Sequence, residues 1–228
     1  PETAVTTEAI TADADLEGGL WAPIFKDVAG PPATQRLAQS PGPTKIGIIS
    51  GHRGNDDGAS CPDGLTEASV NASIAEQVTA VLQQNGLKVE LLDEFDPKLD
   101  SYAATALVSI HADSCTYVND LATGFKIAGS SYTDSSALTV CMEDAYAAST
   151  QLPYHANTIT PDMTDYHAFR EIAPNTQAAI IEIGFMYLDR DLLTNNTAPV
   201  INGISDGIRC FLETTTVRQA ATANGNNG

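Results

Sequence analysis

The chain has 228 residues, of which 43% are hydrophobic, and this is enough material for one sizeable globular domain. Its formal net charge of −18 argues against binding to nucleic acids or to an anionic membrane surface. No segment approaches the roughly 20 consecutive apolar residues that a membrane-spanning helix requires.

The two ends of the chain differ in composition from its middle. Residues 1–43 are rich in Thr, Ala, Pro and acidic residues, and Pro-Gly clusters interrupt them, so we predict an extended arm or linker. Residues 214–228 end in an Asn- and Gly-rich stretch and are predicted to form a disordered tail. The region between them, 44–213, is expected to form one folded domain.

Strands and helices alternate along this middle region. Short apolar runs predict strands near 45–50, 88–92, 106–110, 124–128 and 178–183. Apolar residues at helical spacing predict a helix from about Thr66 to the Asn85-Gly86 pair, and two more over 135–149 and 199–212. This alternation predicts an α/β fold in which a central mixed, mostly parallel sheet is flanked by helices on both faces.

Four polar residues stand at informative places in this pattern. His52 follows the first predicted strand, and His111 follows the apolar run of the third. Because α/β folds build their sites at the carboxyl ends of strands, both histidines are expected at one rim of the sheet. Two carboxylates accompany them: Glu67 begins the first helix, and Glu182 lies inside the very apolar segment 180–185.

These four side chains are of the types that a catalytic zinc site uses. Two histidine nitrogens and one carboxylate oxygen are a frequent zinc ligand set, and a further carboxylate commonly serves as general base. Each residue also has a simpler explanation, since strand-end histidines can be structural and Glu67 can stabilise a helix N-terminus. Glu182 is harder to explain in this way, because a charge in an apolar strand costs several kcal/mol unless it is paired.

Three motifs of the chain resemble those of zinc-dependent N-acetylmuramoyl-L-alanine amidases, the type 3 cell-wall hydrolases. The motifs are 48–54 with Glu67 after it, 109–113 with Gly124-Phe125 after it, and 181–185. Their order and approximate spacing match the family over about residues 45–213. The resemblance implies an α/β sandwich and hydrolysis of the amide that joins N-acetylmuramic acid to L-alanine in peptidoglycan. It also implies that His52, Glu67 and His111 bind Zn²⁺ and that Glu182 is the catalytic carboxylate.

The chain departs from the family pattern at two positions beside these residues. Arg53 replaces a glycine of the first motif, and Asp113 stands where the second motif usually ends in Asn. Asp113 is therefore a candidate for contact with substrate or with a metal ligand. Arg170 precedes the strand of Glu182 and is a second candidate for contact with substrate, although a surface ion pair is its simpler explanation.

Four widely spaced cysteines without a C-x-x-C pair favour two disulfides over a thiolate metal site. Three pairings are possible. The preferred one joins Cys61 to Cys115, because each follows a histidine loop by a few residues, and joins Cys141 to Cys210 between two helices. Disulfides predict an extracytoplasmic location, whether secreted, periplasmic or attached to the cell wall. Four buried free thiols are the alternative.

Other functions stay open at this point. A zinc metallopeptidase or deacylase would use the same residues on another amide, and an inactive relative would bind the cell wall without cleaving it. The expected partner is peptidoglycan or a muropeptide, and a monomer is favoured.

Overall fold

A computed structural model of the chain describes residues 44–225. The arm predicted at 1–43 lies outside the described residues, and so do 226–228. Five strands form one sheet in the described part: β1 (Lys45–Ser50), β2 (Lys88–Leu92), β3 (Ala106–Asp113), β4 (Lys126–Gly129) and β5 (Gln177–Phe185). Their order in space is β2-β1-β3-β5-β4, and only β4 pairs antiparallel. The predicted mixed, mostly parallel sheet is confirmed.

Helices connect these strands and cover both faces of the sheet. The three long ones are α1 (Glu67–Gln84), α2 (Ser136–Thr150) and α6 (Ala198–Gly225), and all three were expected from their apolar spacing. Three short ones are α3 (Pro161–Thr164), α4 (His167–Glu171) and α5 (Arg190–Thr194). Helices of four or five residues are too short to show an apolar period, and the sequence did not predict them.

The two faces of the sheet have different covers. The first face buries residues such as Ile46 and Ile181 in one apolar core with the long helices α1, α2 and α6. The second face buries Ile49 and Ile180 in a separate, smaller core with residues of α3 and α4, including Phe169. The carboxyl ends of β1 and β3 therefore lie between a thick helical layer and a thin one.

A reciprocal cap fixes the start of α1. The side chain of Thr66 accepts a hydrogen bond from the backbone N–H of Ser69, and the Ser69 hydroxyl lies 3.3 Å from the backbone nitrogen of Thr66. This cap makes Glu67 the first residue of the helix. Its carboxylate is thereby placed beside the carboxyl end of β3.

Both predicted disulfides are present. Cys61–Cys115 joins the loop after β1 to the loop after β3, across 54 residues of sequence. Cys141–Cys210 joins α2 to α6, across 69 residues. The first bond therefore ties together the two loops that follow the predicted metal-binding histidines.

The predicted disordered tail is helical as far as Gly225, because α6 continues through it. Residues 214–224 contain Ala, Arg and Gln, which favour helix, and have no Pro or Gly that would end one. Within 44–225, no helix is both long enough and apolar enough to cross a bilayer.

Candidate metal centre and active site

Three of the predicted site residues meet at the carboxyl edge of the sheet. One carboxylate oxygen of Glu67, Oε1, lies 3.2 Å from Nε2 of His52 and 3.2 Å from Nδ1 of His111. One ligand atom from each residue lies within 4.8 Å of the other two. Ligands bound to one zinc ion at about 2.0–2.2 Å are separated by roughly 3–4 Å, so this spacing suits a shared metal ion.

The loop after β1 holds His52 from two sides. Its backbone adopts a left-handed conformation, with φ of 65°, and its N–H donates to Oε2 of Glu94 at 2.8 Å. Its ring nitrogen Nδ1 lies 2.6 Å from Oδ1 of Asp56, which also accepts from the backbone N–H of Gly58. Asp56 thus both orients the His52 ring and shapes the loop. The other ring nitrogen of His52, Nε2, faces Glu67.

Glu67 is buried and held by hydrogen bonds from three directions. Its oxygens accept from the backbone N–H groups of Ala59 and Ala112 and from the side-chain amide of Asn71. Burial by itself would raise the pKa of Glu67, but the hydrogen bonds from His111 and His52 hold it well below its usual range. The carboxylate is therefore charged and rigidly placed.

His111 lies in β3 and packs tightly against the loop of the first motif. A Cβ atom at Gly51 would come within 2.5 Å of the His111 ring, so a residue without a side chain is needed there. Nδ1 of His111 faces Glu67, while Nε2 is buried and has no hydrogen-bond partner among the described residues.

Two imidazole nitrogens and one carboxylate oxygen converge at this point, and each of the three atoms can donate an electron pair to a cation. The hydrogen bond to Glu67, with help from Asp56, raises the pKa of His52 to about 9. A divalent metal ion would satisfy the same three atoms. By this test the residues fit a metal ion of the zinc type, which takes nitrogen and oxygen ligands.

Glu182 lies directly beside this cluster. It stands in register with His111 on one neighbouring strand and with Lys126 on the other, so the three side chains share the second face of the sheet. Its Oε2 is buried without a hydrogen-bond partner in the described part of the chain. Burial raises the pKa of Glu182 to about 7, and the charges of Glu67 and Asp113 add to the effect. A carboxyl group with this pKa can exchange a proton near neutral pH.

Comparison with known protein families identifies the family to which the chain belongs. The family model of N-acetylmuramoyl-L-alanine amidases, Amidase_3, matches residues 46–210, a region that holds all three motifs and both histidines. The chain belongs to this amidase family. It is therefore an enzyme that hydrolyses an amide, and peptidoglycan is the substrate class that fits the family. No curated protein sequence matches the amidase significantly.

Solved structures of related enzymes share the fold. The catalytic domain of CwlV, an N-acetylmuramoyl-L-alanine amidase from Bacillus (Paenibacillus) polymyxa var. colistinus, is 25% identical with a TM-score of 0.59, and the match covers 75% of this chain and 98% of that one. The amidase AmiC2 of Nostoc punctiforme is 23% identical with a TM-score of 0.57, covering 77% and 98%. The N-acetylmuramoyl-L-alanine amidase from Clostridium difficile 630 is 20% identical with a TM-score of 0.60, covering 75% and 97%. The last two support the fold alone.

Asp113 and Arg170, the two candidates for substrate contact, are both engaged in ion pairs in the amidase. Oδ2 of Asp113 lies 2.5 Å from Nζ of Lys126, a buried lysine in register with Glu182 on the neighbouring strand. Arg170 lies on α4, where its exposed guanidinium pairs with Asp165 at 2.9 Å. The structure thus places Asp113 near the catalytic candidates and gives Arg170 the surface ion pair that was its simpler explanation. Their contact with substrate stays a prediction.

Sequence reasoning missed Glu94. This residue follows β2 as His52 follows β1, so an acidic residue after a strand was the available signal. It is only 6% exposed and accepts hydrogen bonds from Tyr166 and His167. Burial alone would raise the pKa of Glu94, but the hydrogen bond from His167 and the electrostatic interaction with His111 bring it down to about 2. Neither Tyr166 nor His167 lies in a recognisable motif, and only the fold brings them to the site.

Proposed function

We propose that the amidase is a zinc-dependent hydrolase of the bond between N-acetylmuramic acid and L-alanine in peptidoglycan. One observation carries the proposal: a single Glu67 oxygen lies 3.2 Å from a nitrogen of His52 and from a nitrogen of His111, with Glu182 in register beside His111. In this proposal His52, Glu67 and His111 hold the zinc ion. When bound, zinc supplies Lewis acidity toward water and toward the substrate carbonyl.

Glu182 moves the proton in the proposed reaction. Its carboxylate accepts a proton from the attacking water as the C–O bond forms, and it returns that proton to the nitrogen of L-alanine as the C–N bond breaks. The products are the lactyl carboxylate of the muramic acid and a free L-alanine amino terminus. The buried, unpartnered Oε2 and the pKa of Glu182 near 7 support this role, since both directions of transfer are then accessible at neutral pH.

The test separates the role of Glu182 from metal binding. Glu182→Gln is expected to bind zinc as the unmodified chain does, while release of L-alanine amino termini from purified peptidoglycan falls by at least about 100-fold. Glu76→Gln makes the same chemical change on the exposed side of α1 and should leave activity unchanged. Normal hydrolysis by Glu182→Gln would refute its role as general base.

The amino termini released in the same assay show which bond of the substrate is cleaved. A metallopeptidase would release new amino termini from residues inside the stem peptide, and a deacylase would act on another acylated amine. Either result would replace the proposed substrate bond while leaving the zinc site intact. Stoichiometric zinc binding without any hydrolysis would make the chain an inactive cell-wall-binding relative.

The proposal includes an extracytoplasmic location and a catalytic unit formed by residues 44–213. Two disulfides tie the described domain, and disulfides persist in oxidising compartments. Fractionation of the producing cells, with thiol labelling before and after reduction, tests the location. Free thiols in the protein from cells would contradict it.

A further inference from the structure

Glu94 is a buried carboxylate that contacts both histidines of the candidate metal site. Its Oε2 accepts a hydrogen bond from the backbone N–H of His52 at 2.8 Å, and the same oxygen lies 3.6 Å from Nε2 of His111. Its Oε1 accepts hydrogen bonds from the Tyr166 hydroxyl at 2.8 Å and from Nε2 of His167 at 3.2 Å. One side chain thus joins the end of β2 to both histidines and to α4.

The contact with His111 has the geometry expected of a group behind a metal-binding ring. Nδ1 of His111 faces Glu67, so Nε2 on the opposite edge is the nitrogen that carries a proton when Nδ1 binds a metal. That N–H is buried and needs an acceptor, and Glu94 is the carboxylate that faces it. A shift of about 0.5 Å would turn the 3.6 Å contact into a charge-assisted hydrogen bond.

His52 has the matching arrangement. Its Nε2 faces Glu67, while its Nδ1 lies 2.6 Å from Asp56. Each histidine therefore stands between Glu67 on its inner edge and a second carboxylate on its outer edge. Metal-binding histidines commonly donate their other N–H to such a group, which fixes the ring and increases its basicity.

Glu94 also acts on His52 through the backbone. The φ of 65° at His52 is unfavourable for a residue with a side chain, so surrounding contacts must hold it. The N–H of His52, which points at Oε2 of Glu94, is one such contact. The carboxylate therefore fixes the turn that aims His52 at Glu67.

We propose that Glu94 is a positioning residue for both metal-binding histidines, and that the affinity of the site for zinc depends on it. This inference rests on the proposed function, since it takes His52, Glu67 and His111 as the ligands. The competing explanation is that Glu94 only fastens β2 to α4 through Tyr166 and His167. The two explanations differ in whether metal affinity changes independently of stability.

The experiment measures the zinc dissociation constant of the full chain by competition with a chromophoric chelator, and the thermal stability of each metal-free protein. In Glu94→Gln the amide oxygen can still accept from His52 N–H, but the charge opposite His111 is gone. Zinc binding is expected to weaken by about 10- to 100-fold with one ion still bound per chain. Glu90→Gln is the matched control, because Glu90 lies in β2, the strand that Glu94 follows, but pairs with Lys45 and Tyr102. Its zinc affinity should not change.

Two further variants keep the inference testable if Glu94→Gln does not fold. Glu94→Asp keeps the negative charge, but its side chain is one methylene shorter and moves the carboxylate away from the histidines. It should also weaken zinc binding. Tyr166→Phe keeps the Glu94 carboxylate and removes its tether to the segment before α4, and should leave the zinc dissociation constant within about threefold.

Several results would overturn the assignment. An unchanged dissociation constant in Glu94→Gln or Glu94→Asp would do so, and so would equal losses in Tyr166→Phe and Glu94→Gln. Complete loss of stoichiometric binding in Glu94→Gln would make Glu94 a ligand instead. Failure of the unmodified chain to bind zinc is a different result, because it refutes the proposed metal site itself and this inference with it.

Discussion

The two faces of the sheet differ in their role: one forms the main apolar core, and the other carries most residues of the candidate site. The first face is covered by three long helices that share an apolar core with the strands, although α1 also supplies Glu67 to the site. The second face carries His111, Glu182 and Lys126 in one row, with Glu94 and Tyr166 close to His111. Buried polar groups are costly, and they are tolerated on the second face because hydrogen bonds and ion pairs satisfy most of them. The division lets the site change without loss of the main core, and the following predictions test it.

The largest effect is expected from the loss of a metal ligand. His111→Ala removes one of three donors, so zinc affinity should fall on the order of a thousandfold and hydrolysis should fall to background. His155→Ala is the control, since His155 packs on Phe185 and is not part of the His52, Glu67 and His111 group, so metal content should stay unchanged. Metal analysis of the purified variants measures both. Full metal content in His111→Ala would remove it from the ligand set.

The two disulfides should separate stability from metal binding. Replacing either pair with Ala is expected to cost about 2–4 kcal/mol of unfolding free energy, because both bonds close long loops. Only loss of Cys61–Cys115 should also weaken zinc binding, since that bond joins the His52 loop to the loop after His111. Denaturant unfolding and chelator competition on both variants measure the two effects. Equal zinc affinities would show that the histidine loops are held without this bond.

The pKa of Glu182 predicts a pH-dependent stability. Because its pKa rises from 4.5 to about 7 on folding, the folded protein keeps a proton that the unfolded chain loses between these values. The contribution of Glu182 to stability is therefore complete below pH 4.5 and is lost as the pH rises through 7. Glu182→Gln cannot ionise, so at pH 8 it should stabilise the metal-free protein by up to about 3 kcal/mol relative to Glu182.

Thermal unfolding in the presence of a chelator, at pH 5 and at pH 8, measures this difference. It should be small at the lower pH, which lies just above the unfolded pKa value of 4.5, and should favour Glu182→Gln at the higher one. A difference that does not vary with pH would mean that Glu182 ionises in the folded protein as it does in the unfolded chain.

The smallest effect is expected at Arg170. Its ion pair with Asp165 is exposed and screened by solvent, so Arg170→Ala should leave the unfolding free energy nearly unchanged. Kinetics on a muropeptide test the second role predicted for this residue. A raised KM with unchanged stability would support contact with substrate, whereas unchanged kinetics would leave Arg170 with its surface ion pair alone.

The elements that could be predicted are those with a regular pattern. The five strands and the three long helices follow from apolar runs and apolar spacing, and each lies within a few residues of its predicted range except for the extension of α6. Of the three possible disulfide pairings, the preferred one is the pairing that the structure shows. The short helices α3 and α4 carry no such pattern, and the contact of His167 in α4 with Glu94 was not predicted.

Residue order alone predicted the class of fold and the four residues that we propose for the centre of the site. It could do so because strand ends collect at one edge of a parallel sheet, so polar residues that follow apolar runs must come together there. Only the tertiary structure decided which further groups surround them, namely Glu94, Tyr166, His167 and the Asp113–Lys126 pair. These residues are distant in sequence, and their contacts depend on strand order and on how the short helices cover the second face, neither of which has a local signal.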